Sequence, residues 1–114
     1  MTRLSDLGIL AKFMEALAEW NCDGFIQWNR RSAEWVRKNL DGVSQKAIGQ
    51  AMYEHALSGG EIDQARENYE GYRDRHPYHY DFRISFADRR LYIETVIDDS
   101  RMGPTVSIKN IKDA

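Results

Sequence analysis

The run Tyr78-His79-Tyr80-Asp81-Phe82-Arg83-Ile84-Ser85-Phe86, resumed after a polar break as Leu91-Tyr92-Ile93-Glu94-Thr95-Val96-Ile97, decides the fold. Tyr78, Tyr80, Phe82, Ile84 and Phe86 fall on one side of an extended chain, and His79, Asp81, Arg83 and Ser85 fall on the other. In the second half Leu91, Ile93, Thr95 and Ile97 alternate with Tyr92, Glu94 and Val96. A period of two in aromatic and β-branched residues is the pattern of a half-buried antiparallel strand. The stretch therefore reads as a hairpin turning at Ala87-Asp88-Arg89-Arg90, with Ala87 facing Arg90. That register pairs Ile84 with Ile93 on the apolar face, and Ser85 with Tyr92 and Arg83 with Glu94 on the polar face. A loop over 98–104 leads to a third strand, Thr105–Ile111, with Val106 and Ile108 inward and Ser107 and Lys109 outward. Asn110-Ile111 breaks its phase. Sliding this strand by two residues sets either Lys109 or Ser107 opposite Glu94.

Upstream of the hairpin the spacing turns helical. Leu7, Leu10, Met14 and Leu17, with Phe13 and Trp20, form a stripe behind a Ser5 cap, ended by Asn21-Cys22-Asp23-Gly24. Phe25-Ile26-Gln27-Trp28 is a short apolar connector, compatible with an extended or an irregular docked segment. A second helix, capped by Asn29 or Ser32, buries Ala33, Val36 and Leu40 and stops at Asp41-Gly42. Ser44 caps a third, carrying Ile48, Ala51, Met52 and Leu57 up to Ser58-Gly59-Gly60. The spacing of Ile62, Ala65, Tyr69 and Tyr72 predicts a fourth helix over Glu61–Arg75, closed by His76-Pro77. The expected architecture is a single α+β domain over residues 1–114. About four N-terminal helices (1–75) pack on one face of a C-terminal antiparallel β-meander of three or four strands (78–111).

Composition narrows the function classes. The chain has 114 residues, 42% apolar and 30% charged, the make-up of one folded domain. No apolar run reaches the ~20 residues of a membrane span, and the N-terminus lacks a signal-peptide layout. The lone Cys22 rules out an internal disulfide and a cysteine-rich metal site, which points to a cytoplasmic, most simply bacterial, setting. Asp23 beside it raises the thiol pKa and argues against a nucleophile. Net charge is −2, with 7 Lys/Arg against 9 Asp/Glu in residues 1–65 and 9 against 9 in the remainder. Without a polybasic field, a nucleic-acid partner has to be held by a local patch.

The polar hairpin face is the local patch: His79, Asp81, Arg83, Tyr92, Glu94, Ser107 and Lys109. One reading is a solvated sheet face held by an Arg83–Glu94 pair. The other is a metal-independent phosphodiester site. Glu94 or His79 would supply base and acid, Arg83 and Lys109 the phosphorane-stabilising charge, and Tyr92 a donor or stacking ring. No cofactor is implied. His76, His79 and Asp81 could in principle bind a metal, but His79 and Asp81 need a third ligand and no His-x-x-x-His spacing or carboxylate cluster supports one. The basic run Arg30, Arg31, Arg37 and Lys38, interleaved with Trp28 and Trp35, fits either nucleic acid or a solvated helix face.

The block Tyr78-His79-Tyr80-Asp81-Phe82-Arg83-Ile84 … Arg90-Leu91-Tyr92-Ile93-Glu94-Thr95 resembles one found in small uncharacterised bacterial proteins. In those, a similar helix and Gly-containing turn precede it and a Val/Ile-rich strand ends the chain. The order of helices followed by a meander is also similar to the barnase/colicin/RelE-type ribonuclease toxins, including the MqsR-like group, over about the last half of the chain. That resemblance implies metal-independent RNA cleavage from the exposed sheet face, with His79, Arg83, Tyr92, Glu94 and Lys109 as the site. The alternatives are a protein-interaction module of antitoxin type, binding through this face or the Trp28/Trp35 region, and a small-molecule binder with Trp20, Trp28, Tyr69 and Tyr72 around an aromatic pocket.

Overall fold

The computed structural model describes residues 2–68, 71 and 75–114. The hairpin lies at its centre. Strands β4 (Tyr78–Phe86) and β5 (Arg89–Ser100) pair antiparallel, and β6 (Gly103–Asp113) continues the sheet. Around them the described chain adds β1 (Thr2–Arg3), α1 (Leu7–Ala18), β2 (Ile26–Trp28), α2 (Arg30–Asn39), α3 (Gln45–Leu57) and β3 (Ile62–Arg66). The six strands form one mixed sheet in the order β1-β3-β4-β5-β6-β2. All pairs are antiparallel except β2 with β6, where Ile26 lies beside Val106 and Trp28 beside Ile108.

The expected four helices over a three- or four-stranded meander are thus corrected, among the described residues, to three helices on a six-stranded mixed sheet. The largest single change is in the first part of the expected helix Glu61–Arg75. Ile62–Arg66 is a strand paired with β4, Ile62 opposite Phe82 and Arg66 opposite Tyr78. Gly59, at φ +82°, releases the chain from α3, and burying Ile62 beside Phe82 outweighs a weak helical spacing. The expected helical roles of Tyr69 and Tyr72 lie outside the described residues. The apolar connector at Ile26–Trp28 resolves as an edge strand, and the expected loop over 98–104 is mostly paired strand. Ser100 opposes Gly103 across a two-residue turn, Gly103 taking φ +111°.

The hairpin register also moves. Phe86 faces Arg89, so only Ala87 and Asp88 form the turn, Ala87 at φ +54°. The expected register also leaves a two-residue turn, Asp88-Arg89; in the observed one Ala87 is the first turn residue and takes the positive φ. The shift is two residues, so each side chain keeps its face while every cross-strand partner changes. Phe82 now faces Ile93 and Ile84 faces Leu91. Thr95, expected opposite Phe82, is fully buried opposite Tyr80, and its hydroxyl donates to the Tyr80 carbonyl at 2.7 Å.

One face of the sheet carries the helices. Phe13, Ala16 and Leu17 of α1, Val36 of α2 and Ile48 and Met52 of α3 are buried against Phe82, Ile84, Leu91, Ile93, Val106, Ile108 and Ile111. Phe13 sits edge-on to Tyr80 and Phe82, with ring centroids 5.2 and 5.7 Å away. Asp6, rather than Ser5, caps α1 by accepting from the Ile9 amide, and Ser44 caps α3 as expected. Asn29 is the α2 cap. It accepts from the Ser32 amide at 2.9 Å while its own amide donates to the Lys109 carbonyl at 2.9 Å, pinning α2 to β6. Asn29→Ala loses both bonds, and urea denaturation should show a destabilisation of about 1–2 kcal/mol. A change of only a few tenths would mean that the bridge to β6 is not populated in solution.

Candidate functional site

The opposite face of the sheet is polar, as the alternation requires. His79, Asp81 and Arg83 come from β4; Tyr92, Glu94, Val96 and Asp98 from β5; Ser107, Asn110 and Lys112 from β6. Between Glu94 and Thr95 the β5–β6 ladder slips: Glu94 opposes Asn110 and Thr95 opposes Ile108, leaving Lys109 as an extra, bulged residue. This is the physical origin of the phase break at Asn110-Ile111. It also corrects the expected partner of Glu94, which is neither Lys109 nor Ser107. Bulges re-aim side chains, and here the Lys109 carbonyl is directed to Asn29 and to the Arg31 guanidinium, the latter at 3.1 Å.

The new hairpin register places Asp81 directly opposite Glu94. His79 Nδ1 lies 2.9 Å from Asp81 Oδ1 and 4.0 Å from Glu94 Oε1, and the Tyr92 hydroxyl donates to Glu94 at 3.4 Å. Asp81 is almost fully buried, only 2% exposed. Sequence spacing leaves His79 and Asp81 without a third donor, and the structure supplies one: Glu94 brings the three donor atoms within 4.8 Å of one another. The expected Arg83–Glu94 pair is absent from the ladder. Arg83 stands opposite Tyr92, its guanidinium 5.2 Å from that ring's centroid, and donates to Asp63 of β3 at 2.5 Å. Lys112 Nζ lies 5.1 Å from the same centroid. Of the five expected site residues, His79, Tyr92 and Glu94 come together, Lys109 borders them, and Arg83 is engaged with β3.

Burial, then the charges of Asp81 and Glu94, then hydrogen bonds to them, hold the Tyr92 phenol well above its ordinary pKa of 10.0. The unfolded phenol ionises near pH 10 while the folded one keeps its proton. Its contribution to stability is therefore complete below about pH 10 and falls as pH rises through the folded value. In an alkaline titration followed by tyrosinate absorbance, Tyr92→Phe should remove a late-ionising step. An unchanged late phase would show Tyr92 to be ordinary. The exposed Cys22 thiol is also shifted upward, first by its hydrogen bond to Glu19 and only lastly by Asp23, the neighbour expected to dominate.

Beside Glu94 the polar face holds a hollow of about 260 Å³. Glu94 and Lys109 line it together with Asn29, Arg31, Glu67 and His76, over Val96. His76 Nε2 is 2.7 Å from Asp98 Oδ1. Sequence reasoning missed His76 with Asp98, which lie 22 residues apart; it took Asn29 for a cap and left Arg31 in a basic run that fits nucleic acid or a solvated helix face. No local signal joins α2 to this face; the junction exists because β2 runs parallel to β6 and delivers Asn29 beside Lys109. A wider, more open cleft of about 560 Å³ lies between the end of α3 and β4. There Arg83 is paired with Asp63, and His55 Nε2 with the Glu61 carbonyl at 2.7 Å. The expected aromatic pocket is a hollow of only about 90 Å³ bordered by Trp20 and Trp28; Tyr69 and Tyr72 lie outside the described residues.

No protein-family model, curated protein or solved structure matches this chain. None of these comparisons bears on the resemblance to ribonuclease toxins. No helix among the described residues is long and apolar enough to cross a membrane.

Proposed function

We propose that this chain is a metal-independent RNA-cleaving domain working from the hollow on the polar sheet face, in a bacterial cytoplasm to which the lone Cys22 points. The observation that carries the reading is the content of that hollow: two carboxylates, Glu67 and Glu94, a histidine oriented by an aspartate, and two cationic side chains. Glu94 takes the proton from a ribose 2′-hydroxyl, whose oxygen attacks the adjacent phosphorus. Arg31 and Lys109 offset the negative charge of the phosphorane. His76, held by Asp98 through Nε2, delivers a proton from Nδ1 to the departing 5′-oxygen. The products are a 2′,3′-cyclic phosphate and a free 5′-hydroxyl. Relative to the sequence-based site, His79 and Tyr92 become positioning residues behind Glu94, and Arg83 leaves the chemistry.

Purified chain incubated with single-stranded RNA in EDTA should yield fragments ending in cyclic phosphate. Intact RNA at high protein concentration would overturn the proposal.

A further inference from the structure

We propose that His79, Asp81 and Glu94 form a binding site for one divalent transition-metal ion, of the kind represented by Zn²⁺ or Mn²⁺. Three observations converge on it. The donors are one imidazole nitrogen and two carboxylate oxygens, a set suited to such ions. They project from two adjacent strands of the sheet interior, β4 and β5, where backbone pairing fixes their bases. Their atoms already lie within 4.8 Å of one another, with His79 Nδ1 at 2.9 Å from Asp81 and 4.0 Å from Glu94. Donors around a tetrahedral zinc stand about 3.3 Å apart, so small rotations of His79 and Glu94 close the site.

The arrangement also departs from ordinary sheet design. Cross-strand neighbours usually carry opposite or neutral charge, and like charges face each other at a cost. Asp81 and Glu94 are such a facing pair, and Asp81 is almost fully buried. A dication between them turns that repulsion into ligation. Coordination uses the Nδ1 lone pair, so His79 binds as the neutral imidazole with its proton on Nε2, and the contact with Asp81 passes from hydrogen bond to shared metal.

Glu94 belongs both to this cluster and to the hollow. A bound ion draws its carboxylate toward His79 and away from a ribose hydroxyl. Ion binding does not depend on the RNA-cleaving reading; its inhibitory consequence rests on it.

Calorimetric titration of Zn²⁺, and separately Mn²⁺, into the full chain without a histidine tag tests the site. One ion per chain is expected. His79→Ala, Asp81→Asn and Glu94→Gln should each weaken binding by about tenfold or more, with thermal melts identifying any variant that does not fold. His79→Ala and Glu94→Gln alter partly exposed side chains, so the test survives a failure of Asp81→Asn to fold. No binding, or equal affinity in the wild type and the folded variants, would overturn the site. In the RNA assay, saturating Zn²⁺ should stop cleavage and EDTA restore it. Absence of cleavage in metal-free buffer would sink the RNA reading while leaving the binding result standing.

Discussion

Phe82→Ala is expected to cost about 3–5 kcal/mol of folding stability, the loss typical of truncating a fully buried phenylalanine. Phe82 is fully buried, its ring meets Phe13 edge-on, and it lies between Ile62 of β3 and Ile93 of β5 across the ladder. Removing the ring empties the seam where α1 meets the sheet. The strands around it are held on both sides, which limits how far the cavity can collapse. Loss of that order is a large share of the stability of a domain this size. Urea denaturation measures it, and Phe82→Leu, which keeps part of the volume, should lose distinctly less. A loss below about 1 kcal/mol for the alanine variant would place Phe82 outside the core and refute the packing of α1 on β4.

What was legible in the sequence, and what was not, divides along physical lines. Alternation from Tyr78 to Ile97 assigned every side chain to its correct face, because the side-chain period of a strand is two and does not depend on the partner. The same alternation could not choose between registers two residues apart, since both bury the same residues. That ambiguity hid the site: one register offers the comfortable pair Arg83 with Glu94, the other sets Asp81 against Glu94. The choice was made by the turn at Ala87-Asp88, where a non-glycine residue takes a positive φ that its letter does not announce. At Ile62–Arg66 the expected helix gives way to a strand for a different reason. Ile62 and Ala65, three apart, favour a turn of helix, and burial of Ile62 beside Phe82 along the edge of β4 overrides that spacing. The hollow was illegible because Asn29, His76, Glu94 and Lys109 are joined by sheet order and by a bulge, both long-range properties.

Glu94→Gln is expected to reduce RNA cleavage by about 10²–10⁴-fold while leaving the melting temperature unchanged or slightly higher. The two effects follow from the same geometry. As the base in the hollow, Glu94 must carry a negative charge, and glutamine cannot accept the 2′-hydroxyl proton. As the cross-strand neighbour of Asp81, that charge is unfavourable, and neutralising it relieves a like-charge pair worth about 0.2–1 kcal/mol. A residue kept at a cost to stability is the usual signature of function. Arg83→Ala makes the contrast. With Arg83 donating to Asp63 on β3, its loss should weaken a partly exposed ion pair by up to about 1 kcal/mol and leave the rate of cleavage near that of the wild type. The phosphodiester site read from the sequence, with Arg83 stabilising the phosphorane, makes the opposite forecast for Arg83, whose loss would abolish activity. Cleavage by Glu94→Gln at the wild-type rate would remove the carboxylate from the chemistry. A marked fall in its melting temperature would show instead that Glu94 is a structural partner of His79 and Tyr92, and the polar face a braced surface.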